Sequence, residues 1–319
     1  MTDPMVSICC ITYNQEPYIR QCIEGFLMQK TTFPFEILIH DDASTDNTAH
    51  IIREYEHKYP DIIKPIYQTE NQYSKRIDII QTFQFPRSKG KYIAFCEGDD
   101  YWTNPYKLQK QVIFLESHQE YGMCYTDFNV LFQDSGEIRY ALMKNKPNIY
   151  PSHYELEEFV YKRGYVAPPT WVFKRDLLEQ LDFNLISVDG SFVFFTHFLA
   201  ISRVKALPDV TATYRTLRES ASHSSDYNKI YNREKEILAT QYKLIDHYHL
   251  NKDLKQKCLF NYYKNNLAQF VGHNKSNDIS DAKQVIIDQS LKDKILFLLA
   301  KSSIGRRFVL KAKRIRNLN

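Results

Sequence analysis

Three acidic residues and one glycine stand together at Glu97-Gly98-Asp99-Asp100, directly after the apolar run Tyr92-Ile93-Ala94-Phe95-Cys96. The run has the length of a buried strand and stops where the acids begin. In an open α/β sheet, ligands bind beyond the carboxyl ends of the strands, so acids placed there face a crevice and not the core. Two or three carboxylates supply hard oxygen ligands but too few to fill an octahedron, which suits Mg²⁺ or Mn²⁺ completed by water and a diphosphate. A solvated acidic turn capping the next helix is the other reading, since Asp-Asp pairs are common in turns.

Two more apolar runs end in polar clusters. Met5 to Ile11 stops at Thr12-Tyr13-Asn14, and Phe35 to His40 stops at Asp41-Asp42-Ala43-Ser44-Thr45-Asp46-Asn47-Thr48. In a parallel sheet all three ends fall on one edge. Such a crevice could hold a nucleoside diphosphate, with one carboxylate accepting from a base N–H and others holding a metal beneath the phosphates. The nine glycines never form G-x-G, which disfavours a Rossmann dinucleotide loop and a P-loop.

The elements that must position these residues alternate. Helix-period segments follow the first strand (Tyr18, Ile19, Cys22, Ile23, Phe26, Leu27) and the second (Ile51 to Tyr59). Lys64 to Gln68 reads as a strand, Ile77 to Phe85 as a helix and Tyr92 to Glu97 as the fourth strand. Asn104-Pro105 then opens a helix. Gly122 to Phe132, Thr170 to Lys174 and Val210 to Arg215 are strand-like, Ser152 to Glu155 is a capping box, and Asp189 to Ile201 is a helix. This alternation predicts a mostly parallel, doubly wound α/β sheet with helices on both faces. From about Tyr227 long charged helices take over, so the expected domains are 1–225, with halves meeting near residue 130, and a helical region over 226–319.

At 319 residues and 43% apolar content the chain can bury a substantial core. Its six cysteines lack C-x-x-C spacing and sit mostly in apolar runs, as reduced cysteines of a cytosolic protein do. Met1-Thr2-Asp3-Pro4 lacks the basic start and long apolar region of a secretory signal and no apolar stretch has membrane-spanning length, so a soluble or peripheral chain is expected. The net charge of +4 is uneven: Lys294 to Asn319 carries eight basic residues and no acid, leaving about −4 elsewhere.

Val6 to Asn14, the Asp41-Asp42-Ala43-Ser44 segment and Gly90 to Trp102 resemble, in order and spacing, the successive motifs of family 2 glycosyltransferases with the GT-A fold, of the bacterial surface-polysaccharide type. The resemblance covers roughly residues 5 to 225. It implies that Asp42 contacts the base with Asp41 supporting the loop, and that Ile11, Thr12, Tyr13 and Asn14 line the nucleotide pocket. Mg²⁺ or Mn²⁺ and the ribose-diphosphate fall on Glu97, Gly98, Asp99 and Asp100; Glu97 stands where the family usually has Asp, so Asp99 and Asp100 are assigned to the metal and Glu97 to ribose or structure.

Ser187 to Phe192 resembles the segment that carries the catalytic base of inverting members, which implies Asp189; an ordinary helix N-cap is the alternative. Arg215 and His223 lie in a segment resembling the closure of the sugar-phosphate site, implying Arg215 against phosphate charge and His223 at the metal or diphosphate. Arg76 occupies a position expected to be glycine in close relatives and adjoins the donor pocket. Trp102, Thr170 and Trp171 are assigned to the sugar and acceptor site, since aromatic faces suit sugar rings.

The expected reaction is inverting transfer of a sugar from a nucleoside diphosphate donor, UDP-linked by resemblance, to a glycan or lipid-linked acceptor hydroxyl. A catalytically inactive nucleotide-sugar-binding module is the competing reading. A nucleotidyltransferase is disfavoured, because its glycine-rich loop is missing. The basic tail, interleaved with Ile295, Leu296, Leu299, Phe308 and Val309, reads either as an interfacial helix on an anionic membrane surface or as a solvated tail. Its few aromatics argue against nucleic acid.

Overall fold

The computed structural model describes residues 3–185, 189–218, 224, 226–273 and 275–287. Its first half is built from β1 (Val6–Thr12), β2 (Phe35–Asp41), β3 (Ile63–Tyr67) and β4 (Tyr92–Phe95), paired in parallel in the order β3-β2-β1-β4. Strands covered on both faces need apolar residues throughout, which is why β1, β2 and β4 read as continuous runs. Helices α1 (Glu16–Leu27) and α2 (Thr48–Lys58) return the chain between them. Ile19, Cys22, Ile23 and Phe26 of α1 and Ile51, Ile52 and Tyr55 of α2 are buried in one core with Val6, Ile8, Ile37, Ile39 and Tyr92.

Register brings the polar strand ends level. Thr12 pairs with Asp41. Beyond β4 the chain continues alongside β1, with Cys96 N–H donating to Cys9 O and Gly98 N–H to Ile11 O. The acid turn therefore lies abreast of the end of β1.

Past β4 the sheet becomes mixed. The short β5 (Tyr101–Trp102) and α3 (Lys107–Ser117) lead to β6 (Tyr121–Phe132), with β7 (Glu137–Arg139) folded back on it. A single helical turn, α4 (Leu142–Asn145), and α5 (Leu156–Lys162) precede β8 (Val172–Lys174), which runs antiparallel between β4 and β6. Helix α6 (Gly190–Ile201) and β9 (Arg203–Thr216) complete it; β9 is parallel to β6 and antiparallel to β5.

The helix expected over Ile77 to Phe85 is instead one wide π turn at Ile80–Gln84 followed by a 3₁₀ turn at Phe85–Arg87. Pro86 cannot donate to a continuing α-helix. The wide turn aims the Gln84 amide into the sheet, where Nε2 donates to Cys10 O and Leu38 O. A 3₁₀ turn, Pro168–Thr170, shortens the strand expected from Thr170.

Two compact units emerge: residues 1–156 with 165–226, and Glu157–Gly164 with the chain from Tyr227 on. In the second, α7 (Tyr227–His247), α8 (Leu254–Gly272) and α9 (Ser276–Ile287) follow one another. Its core gathers Tyr262, Tyr263, Leu267, Phe270, Ala282 and Ile286, and Gln241 Nε2 donates to Val160 O. All six cysteines are buried and unpaired. Among the described residues, no helix is long and apolar enough to cross a membrane.

Candidate active site

The turn after β4 is tight because Gly98 has no side chain. A Cβ there would sit 2.4 Å from Gln15 Oε1 and 2.7 Å from Thr12 Oγ1. Those two atoms are themselves hydrogen-bonded, Thr12 Oγ1 donating to Gln15 Oε1 at 2.7 Å. With the turn pressed against β1, Glu97, Asp99 and Asp100 each offer a carboxylate oxygen within 4.8 Å of the others.

Water is largely excluded from two of them. Asp100 is 1% exposed; its Oδ1 accepts the Arg215 N–H at 2.7 Å, while Oδ2 has no hydrogen-bond partner, and neither has Asp99 Oδ1. Burial, then the neighbouring Asp99 and Glu97 charges, push the Asp100 carboxyl far above the usual carboxylate range. Burial also raises Asp99, opposed by Arg215 and a hydrogen bond from Gln15. Glu97 is exposed, with the carboxylates of Asp99 and Asp100 close beside its own. Desolvation there, then Asp99 and Asp189, push it up to about 7; the two like charges alone dictate that direction. Clustered acids with oxygens lacking donors are what a hard divalent cation would complete, so these residues fit Mg²⁺ or Mn²⁺.

The other strand ends are stitched to each other. Asn14, in the left-handed region at φ 51°, donates its N–H to Ser44 Oγ and accepts the Thr45 N–H on Oδ1. Tyr13 is exposed, and Ile11 lines a cavity beside the turn. Asp41 is buried with Oδ1 unpartnered, and burial raises its carboxyl above the ordinary value. Asp42 accepts the backbone N–H groups of Gln72 and Tyr73 at 2.8 and 3.0 Å. It thereby anchors the turn that ends at Arg76, an exposed residue with φ 61°, where glycine is favoured.

Chain order says nothing of how Arg215 is used. Its Nε donates to Asp99 O at 2.6 Å, its guanidinium also binds Gln21 and Gln133, and it lies 4.6 and 5.3 Å from the ring centres of Tyr18 and Tyr101. It braces the acid turn from behind. Trp102 is a core residue, 2% exposed, edge-on to Phe26 at 4.8 Å and with Lys107 Nζ 4.5 Å from its ring centre. Thr170 is fully buried and donates to Ala167 O. Trp171, also buried, lines the cavity. His223 lies outside the described residues.

Asp189 caps α6: its Oδ1 accepts the Phe192 N–H at 3.2 Å and the Ser191 hydroxyl at 2.9 Å. Its charge reaches Glu97, 92 positions earlier in the sequence. Nothing in the sequence motifs marks Gln15. Its signal is only positional, one residue past Asn14 at the start of α1, and its contact with Asp99 is tertiary.

The family model described as "Glycosyl transferase family 2" matches residues 7–182, more than half of the chain. The chain belongs to that family. The uncharacterized protein Rv1520 of Mycobacterium tuberculosis is 33% identical over 223 residues, covering 69% of this chain and 61% of that protein. The UDP-Glc:alpha-D-GlcNAc-diphosphoundecaprenol beta-1,3-glucosyltransferase WfaP of Escherichia coli is 34% identical over 152 residues, 46% of this chain and 57% of WfaP. The chain thus spans less than two thirds of the length of these relatives. Residues 1–349 of TarS from S. aureus, solved in complex with UDP-GlcNAc, align over 97% of this chain and 91% of that one with a TM-score of 0.59 at 17% identity. This last likeness is one of fold, and it carries the GT-A architecture to the whole sheet.

Proposed function

We propose that this chain is an inverting glycosyltransferase that moves a sugar from a UDP-linked donor to an acceptor hydroxyl in cell-surface polysaccharide or lipid-linked glycan assembly. The observation that carries the reading is the cluster of Glu97, Asp99 and Asp100 at the carboxyl edge of parallel strands, two of their oxygens unpartnered, with Asp189 near enough for its charge to act on Glu97. The UDP-Glc donor in the name of WfaP supports the choice of nucleotide.

Asp99 and Asp100 would hold the divalent cation, which when bound neutralises charge growing on the departing diphosphate. Thr12, Tyr13 and Asn14 line the nucleotide pocket, and Asp42 meets the base through the lone pairs left on its oxygens. Arg215 keeps the acid turn in place, and Glu97 faces the ribose. Asp189 takes the proton from the acceptor hydroxyl as that oxygen bonds to the anomeric carbon; the carbon–oxygen bond to the diphosphate breaks with its electron pair leaving on the diphosphate. One displacement inverts the anomeric centre. Calorimetric titration with UDP, with and without Mn²⁺, tests the reading: metal-dependent binding that vanishes when Asp99 and Asp100 are both changed to Ala supports it, and no binding to UDP removes it.

A second reading, a nucleotide-sugar-binding module without turnover, is favoured by one observation. The Asp189 carboxylate is already engaged in capping α6. Steady release of UDP from a UDP-sugar in the presence of acceptor would exclude it. The basic segment 294–319 lies outside the described residues. From its sequence we propose that it holds the chain to the anionic inner face of the cytoplasmic membrane, and deleting it should abolish binding to anionic vesicles; unchanged binding would refute that role.

A further inference from the structure

Against the acid turn lies a cavity of about 160 Å³ whose walls come from β1, the π turn, the end of β4 and α6. Glu97 and Gly190, the latter next to Asp189, are part of its lining. The rest mixes aromatic and aliphatic side chains with the polar Asp182, Ser191 and His197. Trp171 and Phe194 stack at 6.0 Å with an interplanar angle of 5°, Phe85 and Phe95 at 5.9 Å and 19°, and Phe95 meets Phe194 at 5.5 Å. Rings locked against one another cannot collapse into the space, so the cavity is preformed.

Position and size limit what can enter. A reacting anomeric carbon between the acid turn and Asp189 would put the sugar ring at the mouth of this cavity. An apolar cavity of ~150 Å³ takes a benzene-sized group, which is far too small for a polyprenyl chain. Sugar hydroxyls pressed on the rings themselves would lose water there, at a cost, and only those reaching the polar part of the lining would regain a partner. A short acyl group would bury its carbons there at no such cost. The carboxylates of Asp78 and Glu97 also line the space, and a carboxylate accepts an amide N–H.

We infer that the donor is an N-acylated amino sugar, its acyl group seated in the cavity framed by Phe85, Phe95, Trp171 and Phe194. The inference rests on the transferase reading above and names the substrate class of that same site.

Calorimetry in the presence of Mn²⁺ tests it on the full chain, comparing UDP, UDP-N-acetylglucosamine and UDP-N-acetylgalactosamine with UDP-glucose and UDP-galactose. One added carbon group in an apolar pocket is worth about 10-fold or more, so at least one acylated donor should bind about 10-fold tighter than its parent hexose. Val193→Phe and Ile80→Phe fill the cavity and should erase that preference while UDP itself binds as before. If filling also abolishes UDP binding, Phe194→Leu, which widens the cavity, must reduce the preference instead. UDP binding with no preference for acylated sugars overturns the inference alone, as does a preference that survives both filling variants or tighter binding of dTDP-rhamnose, whose methyl group would then be the occupant. No binding to UDP overturns the transferase reading beneath it.

Discussion

Glu36 and the acid turn put carboxylates at opposite ends of the same parallel strands and treat them in opposite ways. Glu36, at the amino end of β2 and 2% exposed, accepts Ser7 Oγ at 2.7 Å, the Lys89 N–H at 2.9 Å and Lys64 Nζ at 2.9 Å. Burial alone would raise its carboxyl, but these donors bring it below the ordinary 4.5. At the carboxyl end, Asp99 and Asp100 are raised, with oxygens left unmatched. One edge spends its donors on holding the sheet together. The other leaves two oxygens without a donor, as a cation site would.

Variants can break or sharpen that contrast. The largest effect is expected at Asp189→Asn, which should lower kcat about 10²- to 10⁴-fold while UDP affinity, read by calorimetry, stays put; full turnover would leave Asp189 as a helix cap only. Next, Glu36→Ala should destabilise the fold by about 2–4 kcal/mol in urea unfolding, because Ser7 and the Lys89 N–H lose a buried acceptor. Lys64 is half-exposed, so its share of that cost is small. Asp100→Asn should do the reverse, raising the stability of the metal-free protein by about 1 kcal/mol through relief of like charges, and it should abolish stabilisation by Mn²⁺. A loss of stability like that of Glu36→Ala would erase the contrast.

The smallest effect is a slope in pH. Glu97, held near 7 against an ordinary 4.5, keeps a proton in the folded state that the unfolded chain has released between those values. Stability of the metal-free protein should therefore decline as pH rises through that window. Mn²⁺ held by Asp99 and Asp100 would favour the ionised form of Glu97 beside them, so its stabilising effect should grow over the same window. Glu36 acts oppositely, its contribution present above 4.5 and lost as pH falls below it. Thermal midpoints from pH 4 to 8, with Glu97→Gln expected to flatten the neutral limb, read both slopes.

Much of this was legible in the sequence because it is local. Apolar runs that stop at Thr12, Asp41 and Glu97 announce buried parallel strands, and a parallel sheet must line up their ends. The mixed half was less legible. β8 is three residues long and owes its antiparallel place to β4 and β6, which no local pattern encodes. Ile77 to Phe85 has helical periodicity, yet the demand of two strand carbonyls for the Gln84 amide sets its shape. Trp102 and Trp171 look alike as exposed-ligand aromatics in sequence; tertiary packing sends one into the core and the other to a cavity wall. The pairing of Gln15 with Asp99, like the grip of Arg215, joins segments that have no signal in common.

That grip gives the site a birth order. Arg215 reaches back 115 residues to donate its N–H to Asp100, and β9 must first find β6 across some eighty residues of intervening chain. Pairing β1 with β4 spans as long a stretch of chain, so the order is set by synthesis: β9 is made after every strand it must join. A nascent chain that has already delivered every acid of the turn still lacks the donor and the brace that shape it. A fragment stopped at residue 182, where the family match ends, would carry the motifs and bind UDP poorly, and ligand capture during synthesis would report the docking of the last strand.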